Sequence, residues 1–232
     1  MPIGTLINCT SVFLSGLLGN SIGRYIPERT RKYLTVLFGF CSISIGINSV
    51  IKVHAMPPII AAVIIGSAVG NLCQLEKAIN RAFSWVLTHI PVKRNEGFEM
   101  EQFITAVILF CASGFGIYGV LLEGISGNSS ILISKSVLDL FTGTIFAITL
   151  GISVSIIAVP MVVILVSLFF LSGLVAPVVS STMLMDFMAC GGILTIAAGM
   201  RVSGIKNTPI GNMIPALVLV MPFSYIWSLL PL

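Results

Sequence analysis

The sequence predicts an all-α integral membrane protein with about eight transmembrane helices. The chain has 232 residues, of which 56% are hydrophobic and only 9% are charged. A soluble domain carries about 25% charged residues, and this chain has too few to cover the surface of a soluble fold. Its apolar residues also fall in runs close to the roughly 17–25 residues that a bilayer crossing needs. We therefore expect a single transmembrane domain over residues 1–232.

Eight such runs are separated by loops, by prolines or by polar segments. They cover approximately residues 4–22, 33–51, 57–76, 103–124, 136–157, 160–179, 183–204 and 210–230. The fifth and sixth runs are separated only by Ala158, Val159 and Pro160, so one long broken helix, and hence seven crossings, is the alternative. The segment 77–102 is expected to be a polar cytoplasmic loop, with the alternative that it lies on the membrane surface through Phe83, Trp85 and Leu87. The first run lacks a basic flank or a clear cleavage site, which indicates a retained span and not a signal peptide.

Positive charge is distributed unevenly between the loops. With eight spans, only Lys52 and Lys135 lie in the even-numbered loops. Because cytoplasmic loops are enriched in Lys and Arg, this asymmetry predicts an inner-membrane protein with both termini outside. Merging the fifth and sixth runs would place Arg201 and Lys206 on the wrong side, which favours eight spans. The odd-numbered loops hold the other ten basic residues: Arg24, Arg29, Arg31, Lys32, Lys77, Arg81, Lys93, Arg94, Arg201 and Lys206.

A weak internal repeat relates the two ends of the chain. The pentapeptide Phe-Leu-Ser-Gly-Leu occurs at 13–17 in the first run and again at 170–174 in the sixth. Gly46-Ile47 of the second run has a counterpart in Gly199-Met200 of the seventh. Spans 1–3 would then match spans 6–8 in inverted orientation, an arrangement that recurs in secondary transporters. Chance recurrence in apolar sequence is the alternative.

The fifth run contains an acid and a stripe of hydroxyl groups. Asp139, Thr142, Phe146, Thr149 and Ser153 fall on one face of a helix wound at 100° per residue. An acid inside a span is a candidate functional site, because placing it there is costly. The alternative is structural: Ser136-x-x-Asp139 matches a capping box, and an acid in the first turn suits the helix dipole. The run therefore predicts either an ion site or a capped helix start.

Further polar residues extend this candidate pathway. Glu123 and Asp186 fall near the same outer side as Asp139 and could form an acidic mouth that attracts cations. Asp186 follows Thr182 by four residues, so capping is again the alternative. Asn8 in the first span and Asn48 in the second either line a cavity or bond to neighbouring helices.

Catalytic and ligand-binding motifs are missing from the sequence. The two histidines, His54 and His89, are both in loops, and there is no HExxH, GxSxG or phosphate-binding loop. The five cysteines lie in or beside apolar runs, which is typical of small core residues. We therefore expect no enzyme activity, no metal and no cofactor. No basic tract predicts a nucleic-acid partner.

The leading functional hypothesis is a secondary transporter or channel for a small cation or an amine-bearing solute. Asp139 would be the ion or proton site, with Thr142, Thr149 and Ser153 along the path. Lipid and a second copy of the chain, in a homodimer, are the expected partners. A non-transporting scaffold or accessory protein is the second hypothesis, and a membrane-embedded enzyme is the third.

Several ordered motifs run from the opening MPIGTLIN to the closing NMIPAL, through RYIPERTR at 24–31, SIGI at 44–47, LEKAIN, EGISGN, SKSVLD and LGISVSI. Together they resemble a bacterial membrane family known as domain of unknown function 554. The match covers essentially the whole chain, from Met1 to about Leu230. The resemblance implies a multi-span inner-membrane protein and no functional residues. Leu140-Phe141 departs from the small residues that tend to follow the aspartate in that family.

Overall fold

The computed structural model describes residues 1–23, 25–89, 100–175, 177 and 179–230. Within these ranges the chain is helical and contains no β-strand, which confirms the predicted all-α class. The described residues form ten α-helices and one 3-10 turn, in this order along the chain. They are α1 Ile3–Gly23, α2 Glu28–Val50, α3 Met56–Leu72, α4 Leu75–His89, α5 Met100–Cys111, α6 Gly114–Ser126, α7 Ser130–Leu150, α8 Ser153–Val175, α9 Ser181–Val202, the 3-10 turn Ile210–Met213 and α10 Pro215–Ser228.

Seven candidate spans in the described ranges are long and apolar enough to cross a membrane. Helices α5 and α6 together form one of them, Met100–Ser126, and the 3-10 turn with α10 forms another, Ile210–Ser228. An eighth is available if α3 and α4, which meet at a bend of 59°, count as one broken span. Helix α3 runs antiparallel to α10, since Gly66 lies against Ala216 and Gly70 against Asn212. It therefore passes through the same layer as α10, which supports eight crossings.

The boundary between the fifth and sixth spans differs from the prediction. Helix α7 ends at Leu150 and not at 157, and α8 begins at Ser153. Gly151 closes α7 with a φ of 68°, and its N–H donates to the carbonyl of Ala147. Glycine adopts this positive φ at little cost because it has no Cβ. Pro160, which the prediction placed at the start of a helix, lies inside α8. Two separate helices thus replace the alternative of one long broken helix.

The described part of the predicted polar loop at 77–102 is helical. Residues 77–89 belong to helix α4, and residues 90–99 lie outside the described residues. Ile79 and Phe83 pack against the main core, and the ring centre of Phe83 lies 5.8 Å from that of Phe103. Lys77 and Arg81 face away and are exposed. An apolar face within a charged stretch therefore makes α4 an amphipathic helix that packs on the bundle.

The helix ends define two faces of the molecule. The terminal face is where α1 begins and α10 ends; the basic face is the opposite one, where α1 ends and α2 begins. Helices α1 and α7 are parallel, because Gly4 lies against Leu132 and Gly23 against Ile148. Helix α9 runs antiparallel to α2. Small residues at these contacts let the helix backbones approach closely.

The three helix pairs of the predicted repeat are all packed against each other. Helix α8 lies antiparallel to α1, just as α9 does to α2 and α10 to α3. This geometry agrees with the inverted orientation that the sequence suggested. The inverted repeat itself stays a prediction.

The two copies of the repeated pentapeptide provide a matched test of helix packing. A methyl group on Gly16 would overlap the backbone of Ser155, whose hydroxyl donates to the carbonyl of Phe13 at 2.8 Å. A methyl group on Gly173 would meet nothing within 4 Å. We expect Gly16→Ala to destabilise the protein by about 1–3 kcal/mol through overpacking. Gly173→Ala should leave stability unchanged or raise it slightly. Thermal unfolding of both variants in detergent would measure the difference, and equal melting temperatures would contradict the contact.

Candidate functional site

A buried ion pair lies near the middle of α7. Lys135 and Asp139, four residues apart on one helix face, form a salt bridge through Nζ and Oδ2. Their side chains are only 4% and 10% exposed. Asn8 of α1, itself fully buried, donates from Nδ2 to the same carboxylate oxygen at 2.7 Å. Three polar groups from two helices thus meet in the interior of the helix bundle.

This position corrects two predictions about Asp139. Helix α7 begins at Ser130, so Asp139 is two and a half turns inside the helix and not in its first turn. Ser136 is no cap either, since its hydroxyl donates back to the carbonyl of Leu132 at 2.7 Å. Lys135, assigned to an outer loop, is buried in the span. The i, i+4 spacing of Lys135 and Asp139 was the signal that could have revealed the pair.

A small cavity opens beside the ion pair. The space available to the centre of a water molecule is about 60 Å³, which exceeds the roughly 10–15 Å³ needed for one water. Its walls come from α2, the α5–α6 pair, α7 and α9. The polar side chains lining it are Ser42, Ser49, Ser113, Lys135, Asp139, Thr142 and Thr195.

The cavity wall includes the break between α5 and α6. Helix α5 ends at Cys111 and α6 begins at Gly114, so the span is interrupted inside the apolar layer. Ser113 lines the cavity at this point and accepts a bond from the N–H of Gly116 at 3.4 Å. Interrupted helices leave backbone groups without helical partners, and transporters use such breaks to bind solutes. The break therefore places Ser113 in the polar wall of the cavity.

A larger vestibule lies between the same helices at the basic face. It is lined by Thr35 of α2, Gln102 of α5, Thr149 of α7 and Ser203 just after α9, among others, and its volume by the same measure is about 590 Å³. Along α7, Asp139 and Thr142 line the cavity, Phe146 follows, and Thr149 lines the vestibule. The predicted hydroxyl face of this helix thus reaches both spaces.

Three phenylalanine rings lie between cavity and vestibule. The ring of Phe146 is 4.8 Å from that of Phe38 and 6.3 Å from that of Phe110, both in edge-to-face geometry. Phe38 and Phe110 also line the cavity. All three are buried. The rings close the cavity on the side of the basic face.

The other two acids of the predicted pathway hold helix starts. Glu123 accepts from the backbone N–H groups of Gly4 and Thr5 at 2.6 and 3.1 Å, and from the hydroxyls of Thr5 and Ser129. Asp186 accepts from the N–H groups of His54 and Ala55, at the start of α3. Neither lines the cavity or the vestibule, so the structure does not bring them together with Asp139 at one opening. Asp186 does bond to the N–H groups at a helix start, as the capping alternative predicted. The helix start is that of α3, however, and not that of its own helix, α9.

Two more predicted pathway residues lie away from the cavity. Asn48 is exposed on α2. Ser42 and Ser49, on the other side of that helix, line the cavity. Ser153 belongs to the first turn of α8, where its hydroxyl is buried without a hydrogen-bond partner among the described residues. Of the predicted set, Asp139 and Thr142 line the cavity, Thr149 lines the vestibule, and Asn8 bonds to Asp139.

A second buried ion pair at the basic face was missed. Arg201 at the end of α9 lies 2.8 Å from Glu76 at the start of α4. The other oxygen of Glu76 accepts from the N–H of Gly211 at 2.8 Å, while Asn212 accepts from the N–H of Glu76 at 2.9 Å. These bonds fix α4 and the 3-10 turn to α9. The sequence analysis places Arg201 among the positive charges of a loop. It could not predict the ion pair, because Glu76 is 125 residues away in the chain.

No group of three histidine, cysteine or acidic side chains in the described ranges is arranged to hold a metal ion. The five cysteines all lie in these ranges and are free thiols, with Cys9, Cys111 and Cys190 buried. The chemistry available near α7 is therefore that of one amine, one carboxylate, an amide and several hydroxyls. Such a set can bind a small polar species or hold a proton.

The fold and this site define a multi-span, all-helical membrane protein with an ion pair and a polar cavity enclosed among its helices. A family model described as "Protein of unknown function (DUF554)" matches residues 3–225. The chain belongs to this family, which confirms the resemblance seen in its motifs.

Two relatives extend over nearly the whole chain. It is 41% identical to the uncharacterized protein YqgA of Escherichia coli (strain K12), covering 98% of both proteins. It is 23% identical to the uncharacterized membrane protein YdfK of Bacillus subtilis (strain 168), covering 93% of both. No solved structure matches the chain.

Proposed function

We propose that this protein is a transporter that moves a small cation or an amine-bearing solute across the membrane, with Asp139 as its binding group. The observation that carries the proposal is the Lys135–Asp139 pair, buried in mid-span and open to a cavity of water-molecule size. A carboxylate there attracts a positive group, and the neighbouring hydroxyls supply oxygen ligands.

Energetics favour a functional role for this pair over a purely structural one. A charged side chain at the bilayer centre costs about 2.5–3.5 kcal/mol on insertion scales. Apolar residues of similar volume commonly replace a buried ion pair without loss of stability. Helix packing alone would thus be served as well by methionine at position 135 and leucine at position 139. Binding gives a reason for the charges.

The proposed route runs along the α7 face. From the basic face, a solute would enter the vestibule beside Thr149, pass the ring of Phe146, and reach Thr142 and Asp139 in the cavity. Asn8 holds the carboxylate from the opposite helix. Alternating access requires one side to close while the other opens. The rings of Phe38, Phe110 and Phe146 close the cavity toward the basic face. A structure with this side closed corresponds to one stage of such a cycle.

Membrane placement and assembly belong to the same proposal. Seven basic residues described at the basic face (Arg29, Arg31, Lys32, Lys77, Arg81, Arg201 and Lys206) support a cytoplasmic location for that face. Both termini would then lie outside the inner membrane. We also propose that the protein forms a homodimer surrounded by lipid. We propose no catalytic reaction for it.

Replacing Asp139 by asparagine is expected to reduce solute flux at least tenfold, because the amide carries no charge to bind a cation. The measurement is uptake of Na⁺, K⁺ and methylammonium into liposomes that contain the purified protein. Asn48→Ala, which changes an exposed amide away from the route, is the control and should retain flux. Unchanged flux through folded Asp139→Asn would contradict the role of this acid.

A second variant covers the case in which Asp139→Asn fails to fold around the unpaired Lys135. Thr142→Val preserves shape and charge but removes one hydroxyl from the cavity, so slower uptake is expected with an unchanged melting temperature. Absence of flux of all three probes through the wild-type protein would overturn the transporter proposal. That result would favour the scaffold or accessory protein.

A further inference from the structure

We propose that the solute of this protein is a small zwitterion, an α-amino acid such as glycine or alanine, whose ammonium group binds Asp139 while its carboxylate binds Lys135. This inference rests on the proposed function and narrows its amine-bearing solute to one class. Two observations carry it. Opposite charges line one small cavity, and polar atoms beside them have no hydrogen-bond partner among the described residues.

The cavity presents two opposite charges to a solute and not one. Of the described residues that line it, only Lys135 and Asp139 are charged, and their side chains are 4% and 10% exposed. A site for a cation alone gains nothing from an ammonium group one helical turn away, because like charges repel at close range. For a solute with both charges, the lysine is a second binding group. The pair therefore matches a zwitterion better than a simple cation.

The total charge of the site favours the same class of solute. The charges of Lys135 and Asp139 sum to zero, and a zwitterion adds no net charge when it binds. A simple amine would leave one positive charge without a partner in a cavity shielded from solvent. Unpaired buried charges are strongly unfavourable. We therefore expect methylammonium to bind, but much more weakly than glycine.

The ion pair has bonding capacity left for a solute on both of its members. Lysine has three N–H donors, and among the described residues Nζ of Lys135 donates only to Oδ2 of Asp139. Asn8 donates to that same oxygen, so Oδ1 of Asp139 has no donor in the described part of the chain. An ammonium group can therefore bind Oδ1, and a carboxylate can bind Nζ, while the existing salt bridge stays intact. In an α-amino acid the amine nitrogen and the carboxyl carbon are about 2.5 Å apart, which suits two binding groups that are in contact.

A buried hydroxyl group in the cavity wall also lacks a partner. Ser42 of α2 is 2% exposed and lines the cavity, and its hydroxyl makes no hydrogen bond to a described residue. Two other serines of this helix differ, because Ser44 and Ser49 donate to the carbonyls of Phe40 and Ile45. A hydroxyl can donate to a carboxylate or accept from an ammonium group. Since a buried polar group without a partner is costly, a bound zwitterion would stabilise Ser42 by supplying one.

The volume of the cavity limits the size of the solute. The space of about 60 Å³ corresponds to about four to six water positions, at about 10–15 Å³ for each. The non-hydrogen atoms of glycine or alanine fall within this number, whereas those of phenylalanine are about twice as many. Small amino acids therefore fit, and we expect large ones to be excluded.

Competition for the uptake of labelled glycine tests the class of solute. Liposomes with the wild-type protein take up labelled glycine while unlabelled alanine, methylammonium, acetate or phenylalanine is added outside. Methylammonium and acetate are matched controls, because each carries one of the two charges of glycine at a similar size. We expect alanine to inhibit as glycine itself does, and the other three to need at least tenfold higher concentrations. Equal inhibition by methylammonium and glycine would overturn the zwitterion.

Failure of this inference can be told apart from failure of the proposed function. Uptake of methylammonium that depends on Asp139 and that glycine does not inhibit would overturn the zwitterion and leave the transporter proposal intact. No uptake of glycine, Na⁺, K⁺ or methylammonium by the wild-type protein would overturn the proposed function itself.

Replacing Lys135 by methionine removes the group that binds the carboxylate. We expect the ratio of glycine uptake to methylammonium uptake to fall at least tenfold in Lys135→Met. This ratio does not depend on how much of the variant folds, since both solutes are carried by the same molecules. An unchanged ratio would overturn the role of Lys135.

Replacing Ser42 by alanine tests the site without disturbing the ion pair. Because the hydroxyl has no described partner in the protein, Ser42→Ala should keep the melting temperature of the wild type. Loss of one hydrogen bond to a charged solute should raise KM for glycine about tenfold. Ser44→Ala removes a hydroxyl from the exposed side of the same helix and is the matched control. An unchanged KM in Ser42→Ala would overturn the role of Ser42.

Discussion

Replacing Lys135 by methionine is expected to destabilise the folded protein by about 3–5 kcal/mol, the usual cost of breaking a buried ion pair from one side. Methionine fills a similar volume, so the loss comes from the charge. Asp139 would remain buried with Asn8 as its sole described partner. Thermal unfolding in detergent measures the change, and Lys52→Met, which removes a lysine outside the pair, is the matched control.

The double variant Lys135→Met/Asp139→Leu distinguishes charge from packing. With both charges gone, we expect most of the lost stability to return, since apolar residues can replace a buried pair without penalty. Transport should stay absent, because the binding carboxylate is missing. A single variant that melts like the wild type would show that Asp139 has another counter-charge or contact with water.

Replacing Asp186 by alanine is the second change with a large expected effect, a loss of about 3 kcal/mol or more given about 1.5–3 kcal/mol for each hydrogen bond to a charged group. The carboxylate is fully buried and accepts bonds from His54 N at 3.0 Å, Ala55 N at 2.8 Å and Ser224 Oγ at 2.6 Å. It therefore joins α9 to the start of α3 and to α10. Thermal unfolding of the variant measures the loss.

Ser224→Ala supplies the graded control for Asp186. It removes one of the three bonds and keeps the charge, so its melting temperature should lie between those of the wild type and Asp186→Ala. If Asp186 formed an outer mouth instead, its replacement would change flux and leave stability unaltered. That combination would contradict the anchoring role.

Buried acids at the starts of other helices are a repeated device in this molecule. Asp186 accepts backbone N–H groups before α3, Glu123 those of α1, and Glu76 that of Gly211 before α10. The first N–H groups of a helix lack partners within it. In a bilayer there is no water to satisfy them, and each unpaired group is costly. A carboxylate also suits the positive end of the helix dipole.

Some features of the site could be predicted from the sequence, and others could not. Asp139 was singled out because an acid in an apolar run is costly wherever the run begins. Its depth was misjudged, since apolar residues continue on both sides of 150 and hydropathy does not mark where one helix ends. Pro160 is the stronger breaker in general, yet Gly151 ends α7 because a turn with positive φ is needed there. That error also placed Lys135 in a loop and Ser153 on the wrong helix.

By itself, the sequence determined the class of protein, most of its spans and the presence of an acid among them. These three conclusions follow from the composition and from the length of the apolar runs. Both features reflect only the cost of placing polar groups in lipid. Only the tertiary structure decided what each acid does. Asn8 lies 131 positions from Asp139, and Ala55 lies 131 from Asp186. Contacts at such separations depend on how helices pack, and small residues permit many packings that one sequence does not distinguish.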